Sequence, residues 1–166
     1  MGKRRKHSIE KGVGFGVTSG VITTLGMMVG LDAGTSSSLA VIVGVFSVAI
    51  ADALSDAMGM HTAEEVNQVS KKSLWETTFS TFLSKLIFTL TFAIPVLLFE
   101  LQTAIIVSIL WGALLIGSFS YYIATIQKKE PWPLITTHLF VTLIVIVLTY
   151  LVGKVVGYLV MNFIAV

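Results

Sequence analysis

The sequence contains no cysteine, which excludes disulfide bonds, thiolate metal ligands and thiol redox chemistry. Charged residues are also scarce: they form 12% of the 166 residues, whereas a soluble domain carries about a quarter. Apolar residues form 55% of the chain, and the mean hydropathy is +0.90. Because so few charged residues cannot build a water-soluble surface, we expect lipid to cover much of the surface of this protein. The sequence has no Walker-type loop, Ser-His-Asp set or HExxH motif, and we predict no enzymatic activity.

Five apolar stretches are long enough to cross a bilayer core, which takes about 20 residues of helix. The first of them is longer than the apolar part of a signal peptide and ends without a clear small-residue cleavage site. We therefore predict an all-α integral membrane protein, located in the cytoplasmic membrane if its source is prokaryotic. A basic cytosolic tail, residues 1–11, precedes one membrane domain, residues 12–166. The predicted spans are residues 12–31, 36–60, 82–99, 103–126 and 134–160, and residues 61–81 form a polar cytosolic loop.

Four details of these spans also follow from the sequence. Residues 35–38 can cap the start of the second helix. The loop at 61–81 is either a solvated connector with an aromatic anchor or an interfacial helix that extends the second span. Pro95 permits a kink in the third span. The fifth stretch is longer than one crossing requires, so it tilts or breaks near Gly153.

The placement of lysine and arginine predicts the orientation across the membrane. With the N-terminus in the cytosol, only Lys154 of the 11 basic residues falls toward the outside, and Lys85 is counted near the cytosolic face. Five spans then place the C-terminus outside. The positive charge lies at helix ends rather than in one patch, so we expect lipid, and no nucleic acid, as a partner.

Glycines recur at every fourth position in the first span, at Gly16 and Gly20 and again at Gly26 and Gly30. Such spacing lines one helix face and lets another backbone approach closely. Packing within one chain, a contact between two copies, and a pore-lining face are all compatible with this pattern.

The second span carries two carboxylates, Asp52 and Asp56, which share a face because they are four residues apart. A carboxylate at bilayer depth costs on the order of 2.5–3.5 kcal/mol, so it persists where it meets water, protons or a cation. Met60 continues the same face, and a thioether favours a first-row transition metal over Ca²⁺ or Mg²⁺. The alternative is a buried structural pair capped by hydroxyls of the first span: Thr18, Ser19, Thr23 and Thr24.

Residues 20–30 read GVITTLGMMVG, and residues 51–59 read ADALSDAMG. In these and two further segments the chain resembles the vacuolar iron transporter family. Residues 20–30 resemble the apolar, glycine-containing run of the family's first helix. Residues 51–59, ADALSDAMG, resemble its second-helix pattern Ala-x-Ala-x-Ser-Met-x-x-Gly-Glu-Tyr. Residues 82–95 and 149–157 are similar to its third and fifth helices, and residues 61–81 stand in place of its large cytosolic metal-binding helices.

The family's motif residues differ at several positions of this chain. The first-helix aspartate of the family aligns with Ser19. Its second-helix methionine aligns with Asp56, its glutamate with Met60 and its tyrosine with His61. Asp52 stands where many members have a small residue. The carboxylates therefore occupy the same region at shifted positions.

The resemblance implies a five-helix homodimer that moves Fe²⁺ or Mn²⁺ out of the cytosol in exchange for protons. The path would run between the subunits along the first two helices, with the ion as cargo and no permanently bound cofactor. We expect Asp52, Asp56, Met60, Ser19 and Met27 to line it. Two other functions remain open: a structural or regulatory membrane protein that keeps the fold, and a proton-coupled carrier of another small solute. The expected cytosolic entrance consists of His61, Glu64 and Glu65.

Overall fold

The structure is a computed structural model that describes residues 2–163 and the side chains of residues 5–163. Within that range the chain is all-helical, with no β-strand. Five segments are long and apolar enough to cross a membrane, and the short helix α4 completes the segment that begins with α3. The helices are α1 (Gly2–Thr35), α2 (Ser38–Val66), α3 (Lys71–Thr91), α4 (Ala93–Leu98), α5 (Leu101–Gln127) and α6 (Pro131–Phe163).

The helices extend beyond the apolar stretches that the sequence identifies. Helix α1 already includes the described part of the basic tail, and α2 and α3 leave only residues 67–70 outside a helix where residues 61–81 were expected to form a loop. Hydropathy detects the part of a helix that lies in hydrocarbon, whereas the backbone hydrogen bonds continue into the polar residues beyond it. Helices α2 and α3 therefore contain most of residues 61–81.

Serine side chains fix the starts of two helices. Ser37 is the N-cap of α2, and its side chain accepts a hydrogen bond from the backbone N–H of Ala40 at 3.2 Å, which confirms capping within residues 35–38. Ser70 caps α3 in the same way through the N–H of Ser73. Each cap satisfies a backbone donor that has no partner inside the helix.

The third span is interrupted at Phe92, between α3 and α4. Pro95 explains the interruption, because its ring clashes with the carbonyl of Thr91 and it has no N–H to donate. The Phe92 N–H bonds to the Thr89 carbonyl at 3.1 Å instead, and Trp111 of α5 donates to the Thr91 hydroxyl at 3.0 Å. Helix α6, in contrast, continues through Gly153 without a break.

Helix α1 is the centre of the bundle and contacts α2, α3, α5 and α6. Its glycines are the points of closest approach: a Cβ at Gly16 would lie 2.6 Å from the Thr81 carbonyl oxygen of α3, and one at Gly26 would lie 2.7 Å from Val145 of α6. On α6, a Cβ at Gly157 would lie 2.6 Å from the Gly34 carbonyl. These contacts favour packing within one chain over the dimer and pore interpretations of the first-helix glycines.

We expect Gly16→Ala to destabilise the protein by roughly 1–3 kcal/mol, because the added methyl group meets a backbone carbonyl that cannot move aside. Gly117→Ala is the matched control, since nothing lies within 4 Å of that position. Thermal unfolding in detergent measures both variants. Equal melting temperatures for Gly16→Ala and the control would show that α1 and α3 are not packed this closely.

Orientation is tested by single cysteines, since the chain has none of its own. Residue 67 lies between α2 and α3, and residue 102 lies at the start of α5, at the other end of the bundle. With a cytosolic N-terminus, Gln102→Cys reacts with an impermeant maleimide in intact cells, whereas Asn67→Cys reacts only after lysis. The reverse pattern would overturn the predicted orientation.

Candidate functional site

Lys85 lies near the middle of the third span, Lys71–Leu98, and its side chain is completely buried. At the helical rise per residue it is about 20 Å from either end of that span. Lys85 was counted near the cytosolic face because the predicted third span starts at residue 82, whereas α3 begins at Lys71. Gly20 of α1 leaves room for its stem: a Cβ there would lie 3.2 Å from Lys85 Cγ.

Three acceptors surround the Lys85 ammonium. Its Nζ lies 2.5 Å from Asp52 Oδ2, pairs with Asp56 Oδ2, and donates to Ser19 Oγ at 3.0 Å. An ammonium group has three N–H donors, so all of them have a partner here. We call Lys85, Asp52 and Asp56 the ion cluster. It joins α1, α2 and α3 at one point.

Hydroxyl groups of α1 complete the ion cluster. Ser19 Oγ donates to Asp56 Oδ2 at 2.6 Å, and Thr23 Oγ1 donates to Asp52 Oδ2 at 2.9 Å. Two of the four hydroxyls considered from the sequence thus cap the carboxylates, whereas Thr24 donates to the Gly20 carbonyl. Ser19 and Asp56 are therefore in direct contact.

The ion cluster has a formal charge of −1, with two carboxylates against one ammonium. Its aspartate side is open: the side chains of Asp52 and Asp56 are 31% and 20% exposed, whereas that of Lys85 is 0% exposed. Among the described residues, no hydrogen bond reaches the second oxygen, Oδ1, of either aspartate. The cluster can therefore accept a cation or a proton from the open side.

The two methionines of the predicted path lie at different depths. Met60 is nearly buried on α2, one turn from Asp56. Met27 packs against Gly44, where a Cβ would lie 2.5 Å from its sulfur. Gly44 is two turns of α2 from Asp52, about 12 Å along the axis, so Met27 is not part of the ion cluster.

The residues of the expected entrance are mostly engaged with their own neighbours. Glu64 is 4% exposed and pairs with Lys11 of α1, while Glu65 is exposed. The Nδ1 atom of His61 lies 3.0 Å from Thr78 Oγ1, and the His61 ring packs on Trp75 at 4.9 Å between centroids. A cleft of about 1410 Å³ lies at this end of the bundle, and Glu64 is part of its lining. Glu64 is therefore a paired acid rather than a free one.

Sequence reasoning did not connect Lys85 with the aspartates, although α3 carries a signal. A charged residue inside an apolar span needs a partner of opposite charge. Hydroxyl residues also recur along the buried face of α3 at helical spacing, which marks a polar contact face rather than a lipid-facing one. These residues are Thr77, Thr78, Thr81, Ser84 and Thr89.

Comparison of the chain with protein-family models, curated proteins and solved structures finds no match in any of the three. Within the described residues of a single chain, no group of three or more His, Asp or Glu side chains is arranged to hold a metal ion. The resemblance to vacuolar iron transporters therefore stays a prediction from the sequence.

The ion cluster predicts a strong coupling between Lys85 and Asp56 in a double-mutant cycle. Lys85→Met leaves both carboxylates without their ammonium partner, and Asp56→Asn removes one anionic partner of the ammonium. Each variant should lower the free energy of unfolding, by up to about 3–5 kcal/mol for Lys85→Met. The double variant should lose less free energy of unfolding than the two single variants lose together. Unfolding in detergent measures the cycle, with Lys154→Met as an exposed-lysine control. Additive effects would mean that the pair is not formed.

Proposed function

We propose that this protein is a cation carrier whose cargo is a divalent transition metal, Fe²⁺ or Mn²⁺, exported from the cytosol in exchange for protons. The observation that supports it most is the ion cluster: two partly exposed carboxylates with a net negative charge, deep in the bundle. Charged groups at bilayer depth mark ion or proton pathways more often than they serve packing. Carboxylate oxygens also suit divalent cations.

A second copy of the chain would complete the coordination shell. One chain offers two carboxylates, Asp52 and Asp56, with Met60 one turn away, which is few ligands for a metal ion. The neighbouring face of α2 is exposed and carries small residues four apart, which permit close approach of another helix. Two copies related by a twofold axis would bring four carboxylates together. The small residues are Ser47, Ala51, Ser55 and Gly59.

Protons would drive release of the cargo. A proton that binds Asp52 or Asp56 neutralises a ligand, so the metal leaves, and the neutral carboxyl group holds the proton that returns in the other direction. In the predicted orientation Glu64 and Glu65 lie at the cytosolic end of the same helix, where cations would arrive.

A structural function is the second candidate. All three N–H donors of Lys85 have acceptors, and Ser19 and Thr23 satisfy one oxygen of each aspartate. Such a network also fits a protein that uses the cluster only to hold three helices together.

Transport in proteoliposomes with an imposed pH gradient distinguishes the two candidates. We expect the wild type to take up Mn²⁺ or Fe²⁺, and Asp52→Asn combined with Asp56→Asn to reduce uptake to the level of empty liposomes. Asp32→Asn is the control, since that acid lies at the far end of α1, near Gln102.

A further variant separates lost transport from lost folding. Asp52→Asn, Asp56→Asn and Lys85→Met together leave no charge in the cluster, so this protein should fold and still not transport. Unchanged metal uptake by the folded triple variant would overturn the proposed mechanism. No uptake by the folded wild type would favour the structural function, and metal-independent proton flux would favour a carrier of another solute.

A further inference from the structure

We propose that Lys85 is the resident counter-ion of the cation site: its ammonium occupies the place between Asp52 and Asp56 that the cargo takes, and it withdraws when the cargo binds. This proposal rests on the proposed function and adds the residue that determines which cations are accepted.

The geometry places the ammonium where a bridging cation would sit. Lys85 Nζ contacts one oxygen of each aspartate, 2.5 Å from Asp52 Oδ2, so it lies between the two carboxylates. A cation that uses both carboxylates competes for the same oxygens. If the ammonium stayed in place, the cargo would sit beside another positive charge in a medium of low dielectric constant, where repulsion is strong.

The surroundings of Lys85 allow the ammonium to move away. A lysine head is a compact charge on a flexible four-carbon stem. The stem passes Gly20, and the Thr89 hydroxyl lies beside the same glycine, 3.3 Å from the Thr24 hydroxyl. These neutral oxygens, together with Ser19, offer hydrogen-bond acceptors after the carboxylates are released.

Displacement of an internal cation produces selectivity by charge. A monovalent ion that replaces the ammonium gains no more attraction from the two carboxylates than the lysine already has. A divalent ion carries twice the charge and is attracted more strongly to the two carboxylates, so it can displace the Lys85 ammonium. Removal of Lys85 should therefore admit Na⁺ or K⁺, an outcome that a merely structural lysine does not predict.

Mn²⁺ binding to the full-length protein in detergent tests the proposal. In Lys85→Met we expect the Mn²⁺ Kd to fall at least tenfold, Na⁺ to compete for the site, and Mn²⁺ to raise the melting temperature more than in wild type. Lys154→Met is the control and should bind as wild type does. In Lys85→Arg, the guanidinium holds both carboxylates through its planar fork, so Mn²⁺ binding should weaken at least tenfold.

The outcomes separate this proposal from the proposed function. Mn²⁺ binding by wild type with an unchanged Kd in Lys85→Met overturns the counter-ion assignment and leaves the carrier in place. If Lys85→Met does not fold, Lys85→Arg decides: weaker binding supports the assignment, and unchanged binding overturns it. If neither the wild type nor any folded variant binds Mn²⁺, the carrier fails, and the counter-ion assignment fails with it.

Discussion

The burial of Lys85 is the constraint on which the arrangement of the first three spans depends. A lysine with no exposed surface requires anionic partners, and the chain supplies two on α2 and a hydroxyl on α1. Removal of one partner from a buried ion pair costs far more than exchange of the whole group for apolar side chains. The cluster therefore fixes which faces of α1, α2 and α3 meet, whether or not it adds net stability.

Close packing between α1 and α3 holds Lys85 in position within the ion cluster. Because Gly16 and Gly20 have no side chain, α3 lies close enough for the stem of Lys85 to cross α1. Gly26 and Gly30 of α1 pack against α6. A larger residue at these positions would separate the helices and leave the ammonium short of its acceptors. The small residues of α1 therefore position charges as well as backbones.

Much of the fold follows from the sequence, whereas the site follows only in part. Hydropathy identifies all five spans, because apolar length is a local property, but misses the helical ends beyond them. The i, i+4 spacing places Asp52 and Asp56 on one face, and both do contact Lys85. Their partner was not predicted, because the polar face of α3 does not show which helix it contacts. The Lys11–Glu64 pair was missed as well.

The position of Lys85 relative to a bound cation is measured by a crystal structure of the wild-type protein in a bilayer mimic with Mn²⁺, solved with anomalous data. We expect anomalous density between the Asp52 and Asp56 carboxylates, with the Lys85 ammonium moved away from both of them. Mn²⁺ bound elsewhere, or not at all, with Lys85 still between the two aspartates, would contradict this expectation.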